Sequence, residues 1–256
     1  MAVKKSKKKA AKKKVVLTQD EKEELVAEGE LPKKSAIKRE NKQLIWFFVV
    51  VAIIFGLFLV PYFWVESSKH FEYAGINWVI EEYAAPVGDI YHGDFMALNG
   101  ANLRYNVYLR SDPRKNDVPT YGSFDKFKNL GAISFSPEFN ACRGRVVGGV
   151  GTLDGFLSLG VGTGFLTKGS TNSSVAEENG WLFATCETVF DKTLVILEKG
   201  EARVVQDEEN PYCYTIYVDD CNNADPIEKF IAKSIEDFNK AKEELRKARE
   251  VLSGAK

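Results

Sequence analysis

"NKQLIWFFVVVAIIFGLFLVPYFWVESSKH", residues 41–70, decides how the rest of the chain is read, because it is either a leader to be removed or a permanent membrane anchor. From Leu44 to Val65 it runs 22 residues without a charge. At about 1.5 Å of rise per residue such a helix covers a hydrocarbon core of roughly 30 Å. A secretory leader carries a shorter apolar region of about 7–15 residues and closes on small residues at its cleavage site. Here the far end is "VPYFWVE", bulky throughout. Trp46 falls near one end and Tyr62 and Trp64 near the other, where amphipathic rings favour the headgroup layer. The stretch reads as a retained signal-anchor helix over residues 44–65.

Charge on either side sets the orientation. Residues 1–43 hold 14 basic and seven acidic side chains, a net +7, with eight lysines between Lys4 and Lys14. The remainder carries −8, an asymmetry that the whole-chain value of −1 conceals. Basic flanks stay cytoplasmic, which places the amino terminus inside and residues 66–256 outside. "KKSKKKAAKKK" has too little apolar content to bury, and its lysines suit anionic headgroups. No aromatic residue interleaves them to stack on bases, so no nucleic acid is expected. Beyond it, "TQDEKEELVAEG" offers Thr18 as N-cap, Glu21 at the third helical position and Gly29 as terminator, the signature of one short helix.

All four cysteines, Cys142, Cys186, Cys213 and Cys221, lie on the outer side of the span. An oxidising exterior turns such thiols into disulfides. Their spacings of 44, 27 and 8 include no C-x-x-C, and His70 and His92 are remote from each in sequence, so zinc is not expected. Four cysteines allow three connectivities. If "CYTIYVDD" is a strand, eight steps hold Cys213 and Cys221 roughly 26 Å apart, against a disulfide's Cα reach of about 7 Å. Of the two connectivities left, we expect Cys142 with Cys221 and Cys186 with Cys213.

The outer region begins as β-structure. "FEYAGINWVIEEY" alternates, with Ile76, Trp78 and Ile80 on one side and a turn available at Ala74-Gly75. In "MALNGANLRYNVYLR", Asn99-Gly100 is a hairpin signal, and the following strand puts Leu103, Tyr105, Val107 and Leu109 on the core face. "SDPRKNDVP" then breaks regular structure. Its Arg110, Arg114 and Lys115 beside Asp112 and Asp117 pair with one another more readily than they form an anion site. "AISFS" and "WLFATCE" are short strands. "TLVILEKGEARVVQDEENPYCYTIYVDD" holds two or three more, with turns at Lys199-Gly200 and Asn210-Pro211, and "SSVAEENG" is a small helix capped by Ser174 and stopped by Gly180.

"YNVYLRSDPRKNDVP", "ISFSPEFNAC", "FATCE", "TLVILEKG" and "CYTIYVDDC" before a final helix resemble a family of uncharacterised single-pass membrane proteins of small-genome archaea. The resemblance covers roughly residues 71–235 and includes all four cysteines. It implies an anchored extracytoplasmic domain with structural cysteines, and it supplies no catalytic residues.

Several motifs approach a known chemistry without reaching it. "RVVGGVGTLDGFLSLGVGTGF" reads as strand, then glycines, then helix. Gly149, Gly151 and Gly155 give G-x-G-x-x-x-G, not the dinucleotide fingerprint, and in "GTGFLTKGST" a glycine follows Lys168 where a P-loop needs Ser or Thr. Tight turns and close packing account for these glycines. "DDCNNAD" gathers the oxygen donors of Asp219, Asp220, Asn222, Asn223 and Asp225 but lacks the calcium-loop spacing and its closing glutamate. Asp225 and Pro226 serve more simply as N-cap and first helical residue. His92, in "YHGD" with Asp94 two positions on, is the one histidine suited to a hydrolase, and no nucleophile elbow accompanies it. "NSS" makes Asn172 a glycosylation candidate. No cofactor and no metal is expected.

"DPIEKFIAKSIEDFNKAKEELRKAREVL" opens with a capping box from Asp225 to Glu228 and sustains 28 helical residues to Leu252. Ile231, Ile235, Phe238, Ala241, Leu245, Ala248 and Leu252 recur at steps of four and three, one apolar stripe. Its first half suits the domain core. The last turns are expected to project, with Ala241, Leu245, Ala248 and Leu252 available to a second helix, from another copy or from another envelope protein.

The fold class expected is α+β: one transmembrane helix, then a mixed, partly antiparallel sheet domain with packed helices and a long C-terminal helix. Its divisions are a basic cytoplasmic tail over 1–43, the anchor over 44–65, the extracytoplasmic domain over 66–240 and the projecting helix end over 241–256. The favoured function is a non-enzymatic binding or structural envelope protein. The alternative is an extracytoplasmic enzyme, either a thiol-disulfide redox protein or a hydrolase using His92.

Overall fold

The computed structural model describes residues 34–98 and 103–254. The basic tail with its expected helix at Thr18–Gly29, and the Asn99-Gly100 turn, lie outside the described residues. The chain divides into two compact units, Met1–Phe63 and Trp64–Lys256.

Most of α1 (Lys34–Ser68) falls in the first unit, and its segment Lys42–Ser68, at a mean hydropathy of 2.9, is long and apolar enough to cross a membrane. Pro61 sits inside this helix, a position that spanning helices tolerate. The uncharged span is thus the middle of a longer helix.

The second unit is built on two sheets. The first is an antiparallel meander of β1 (His70–Tyr73), β2 (Ile76–Glu82), β3 (Asp89–Met96) and β4 (Arg104–Leu109), in that spatial order. Ala74 and Gly75 join the first two strands with φ of 57° and 75°, the double left-handed geometry of the tightest hairpin turn. Period-two alternation buries Ile76, Trp78, Phe95, Val107 and Leu109. Trp78 faces Gly93 across the strands, and a Cβ at Gly93 would lie 2.9 Å from the indole. Only glycine leaves room for that ring.

The second sheet has seven strands: β5 (Thr120–Tyr121), β6 (Gly131–Phe135), β7 (Thr167–Ser170), β8 (Leu182–Phe183), β9 (Thr193–Lys199), β10 (Arg203–Gln206) and β11 (Cys213–Val218), in the order β5-β10-β11-β9-β6-β7-β8. From β11 through β8 all neighbours are parallel, and β10 is antiparallel to β11. β9 is buried from Thr193 to Leu197 without alternation, the pattern of a strand covered on both faces. β11 is inserted between β9 and β10, the two strands that precede it in sequence.

Four further helices are α2 (Pro137–Asn140), α3 (Arg145–Gly155, continuing as a π-helical turn over Phe156–Val161), α4 (Ser173–Asn179) and α5 (Asp225–Gly254). Beside a second, smaller cluster of Ala132, Ala184, Val189, Leu194, Ile196 and Cys213, both sheets, α2, α3 and α5 share one main core. Phe124, Phe156, Tyr214 and Phe230 form its aromatic centre, with Tyr214 5.4 Å from Phe230 and 5.5 Å from Phe124 between ring centroids. The Tyr214 hydroxyl donates to the Lys126 carbonyl at 2.6 Å, so the polar end of this buried ring is satisfied.

Three expectations are corrected. "RVV" is the start of α3 and not a strand: Val146, Gly149 and Leu153 are buried at helical spacing, and Gly149 presses on Ala224 and Ile227, where a Cβ would lie 3.2–3.3 Å from their side chains. The cap of α4 is Asn172, not Ser174. Its side chain accepts from the Val175 N–H, while Gly180 ends the helix with φ of 66°, as expected. α5 starts at Asp225 itself, so Asp225 is helical and is not the cap; the first amides of Ile227 and Glu228 bond to the Ala224 carbonyl. The Glu228 carboxylate turns outward to the chain after β4 instead of closing a box.

Candidate functional site

The first sheet brings together the polar cluster around the histidine that the sequence singles out. Alternation directs Glu81, His92, Asn106 and Tyr108 away from the core, and pairing sets His92 directly opposite Tyr108. The two rings stack at 4.5 Å and 14°. His92 Nδ1 lies 3.1 Å from Glu81 Oε1, and Nε2 lies 3.2 Å from Asn106 Oδ1. The Tyr83 hydroxyl donates to the other Glu81 oxygen at 2.7 Å, and that bond to a carboxylate raises the phenol's pKa.

This constellation holds a planar aromatic stack between fixed polar groups on an open sheet face, with Tyr108 48% exposed. It is not a hydrolytic triad. Asp94 pairs with Arg104 instead of His92, and none of the four strands contains Ser, Thr or Cys to act as a nucleophile. What the arrangement can offer a ligand is ring stacking and hydrogen bonding at one spot. Sequence reasoning found His92 and missed Glu81, Asn106 and Tyr108, whose only signal is membership of the outward period-two set on two separate strands.

A second concavity, about 1020 Å³, lies between the first sheet and α5. Ile76, Met96 and Leu98 line one side and Phe238, Ala241 and Leu245 the other, with Lys242 at its edge. Leu245 is 61% exposed, and Ala248 is also exposed. The Leu252 side chain lies outside the described residues.

The cysteines are all bonded: Cys142 to Cys221 and Cys186 to Cys213, with Cα separations of 5.2 and 5.5 Å and no free thiol among the described residues. Cys213 is the first residue of β11 and Cys221 lies just past its last, so the bridges pin opposite ends of one strand. The 110–117 segment is self-paired in part: Asp112 pairs with Arg114 and Lys115, while Arg110 and Asp117 join no ion pair among the described residues. Asp112 is buried and accepts from Arg114 through its backbone N–H, Nε and Nη2, and the Arg114 hydrogen bond holds the carboxyl below the usual aspartate range. The Arg114 guanidinium in turn covers the Phe71 ring at 3.7 Å.

Glu228, which the sequence marks only as the end of a capping box, accepts from the Arg110 and Ser111 amides at 2.9 and 2.8 Å, and burial pushes its carboxyl's pKa upward. Residues 219–225 hydrogen-bond among themselves, Asp220 to the Asn222 amide and Asn223 to the Asp225 amide. Among the described residues no group of three or more His, Cys, Asp or Glu is placed to hold a metal. In the nucleotide-like stretch Gly148, Gly149, Gly151 and Gly155 lie on α3 and Gly160 on its π-helical continuation, where it packs against Tyr105, Phe156 and Phe95; Gly162 and Gly164 follow with φ of 86° and 69°. No protein-family model, curated protein or solved structure matches the chain.

Proposed function

We propose that this is a membrane-anchored extracytoplasmic protein, amino terminus inside, whose disulfide-stapled domain binds a partner or wall component without catalysing a reaction. One observation carries the reading. All four cysteines are bonded in the unit that follows an apolar helix able to span a bilayer, and such bonds persist where the surroundings are oxidising. The resemblance to single-pass archaeal membrane proteins supports the same placement. The stacked His92–Tyr108 face supports recognition, because it combines an exposed ring with fixed hydrogen-bonding groups and has no nucleophile beside it.

The test is accessibility in intact cells. Protease added outside removes the domain after residue 66 and spares the tail and span, and a thiol reagent modifies the chain only after reduction. A protected domain, or four reactive thiols without reductant, overturns the proposal. Asn172 belongs to the same reading. It is exposed, and its cap uses Oδ1, leaving Nδ2 for a glycan that would show as a mass increase lost in Ser174→Ala.

A further inference from the structure

We propose that the last three turns of α5 pair in parallel with the same segment of a second copy of this chain. Phe238, Ala241, Leu245, Ala248 and Leu252 recur at steps of three, four, three and four, the spacing of a two-helix seam with Leu245 and Leu252 in one kind of position and the alanines in the other. Lys242 and Arg249 flank that seam on one side, Glu244 and Val251 on the other.

The ion pairs along the helix separate these flanks from its far face. Lys240 binds Glu236, Arg246 binds Glu243 and Glu250, and Lys247 binds Glu243, every one on the side away from the seam. Lys242, Glu244 and Arg249 make no ion pair among the described residues; Lys242 and Arg249 have no acidic residue three or four positions away on their own helix, and Glu244 stays unpaired although Lys240 and Lys247 stand at those distances. Before Phe238 the flanking Asp237 is taken by Lys233; beyond it the outer charges pair within the helix, and those beside the apolar stripe stand unpaired among the described residues, in the flanking positions whose charges choose the orientation of a paired helix.

In a parallel, in-register pair Glu244 of each copy faces Arg249 of the other, giving two attractive contacts related by the twofold axis. In an antiparallel pair centred between Leu245 and Ala248, Lys242 would face Arg249 and Glu244 would face Val251, so like charges meet and the carboxylate has no partner. One helix supplies both halves of the complementary set, which a second copy matches without any further protein. Alanine at the intervening positions lets the backbones approach closely, and the stripe opens on the groove beside Ile76, Met96 and Leu98, which gives the incoming helix an apolar wall. The pairing depends on the helix alone and not on the anchor reading above.

The experiment uses the full chain in its membrane. With every native cysteine bonded, Leu245→Cys introduces a single free thiol. Mild oxidation should yield a 245–245 bridge, identified by peptide mapping, and Lys247→Cys on the outer face should yield none. Crosslinking that needs a mixture of Leu245→Cys and Ala248→Cys chains, equal crosslinking from position 247, or a bridge to a different protein each overturns the proposal. In detergent, Glu244→Lys and Arg249→Glu should each weaken self-association about fivefold, from the loss of two exposed pairs. Joined in one chain they should restore it, which a merely misfolded helix would not do. Extraction and protease accessibility report on the anchor independently: a chain that crosslinks yet needs no detergent refutes the anchor alone, and an anchored chain that fails to crosslink refutes the pairing alone.

Discussion

Removing the two disulfides one at a time should destabilise the domain unequally, the longer loop costing more. Cys142–Cys221 closes 79 residues of chain, for which loop-closure entropy gives about 4.5 kcal/mol at 25 °C. Cys186–Cys213 closes 27, for about 3.5 kcal/mol. Each pair has one well-buried member, Cys142 at 6% exposure and Cys213 at 0%, so the loss of buried sulfur largely cancels between them. The paired alanine variants, Cys142→Ala with Cys221→Ala and Cys186→Ala with Cys213→Ala, should therefore differ by about 1 kcal/mol. The shorter loop is nested in the longer one, so with both bridges present the outer loop is effectively shorter by that length and the losses add to within about 0.5 kcal/mol. Removing both costs about 8 kcal/mol, comparable to the whole 5–15 kcal/mol stability of an ordinary domain. Urea unfolding of the full chain in nonionic detergent, followed by near-ultraviolet circular dichroism, reads the difference as a midpoint shift. A larger loss from the shorter loop, or a loss below about 1 kcal/mol from either, would refute the entropic reasoning.

Gly93→Ala drives a methyl into the Trp78 ring and should cost about 1–3 kcal/mol, seen as a lowered Tm and a red-shifted tryptophan emission. Asp112→Asn breaks the Arg114 fork at a buried carboxylate and should cost about 1.5–3 kcal/mol at neutral pH. Because the folded Asp112 pKa is depressed, its stabilisation is present above the ordinary value of 3.8 and is lost as the pH falls through the lowered folded value; the variant should lack that portion of the acid limb in urea titrations run from pH 7 downward. His92→Ala should leave the fold intact at a cost below about 1 kcal/mol, since Glu81 keeps its Tyr83 bond and Tyr108 stands on the surface; a thermal shift well beyond that would make the cluster a structural element and not a recognition face.

β1, β2 and β4 of the antiparallel half were legible because these strands are covered on one side only, whereas β3 was not read as a strand and Leu103, expected on the core face, is exposed ahead of β4. Ile76 and Trp78, and Val107 with Leu109, alternate with polar residues, and Ala74-Gly75 marks the turn. The strand reading of Cys213–Val218 was equally available from "CYTIYV". α3 was hidden by composition. Glycines at 148, 149 and 151 weaken helical propensity, and the segment is helical because Gly149 lets it pack on α5, a contact absent from local sequence. β7, "TKGS", has no strand signature at all; it is a strand because β6 and β8 flank it in register. The His92 cluster was half visible for a related reason. Outward alternation can be read on each strand separately, but which outward residues meet depends on a cross-strand register that joins residues 81, 92, 106 and 108.

The placement of the staples bears on α5 more than on the sheet. Cys221 lies four residues before Asp225, and Asn223 caps the Asp225 amide in between, so the bridge to Cys142 holds the helix by its base. Glu228 fixes the same base to the first sheet through the Arg110 and Ser111 amides. Ile227, Phe230, Ile231 and Ile235 are fully buried, worth about 6–12 kcal/mol in apolar transfer. From Leu245 onward the described side chains are all exposed. A helix of 30 residues extends about 45 Å, and being stiff it carries the orientation of its base to its tip. The α5 tip can therefore present Leu245 and Ala248 at a fixed angle without contacts of its own, because the covalent bond, the buried carboxylate and the isoleucines all act at the other end.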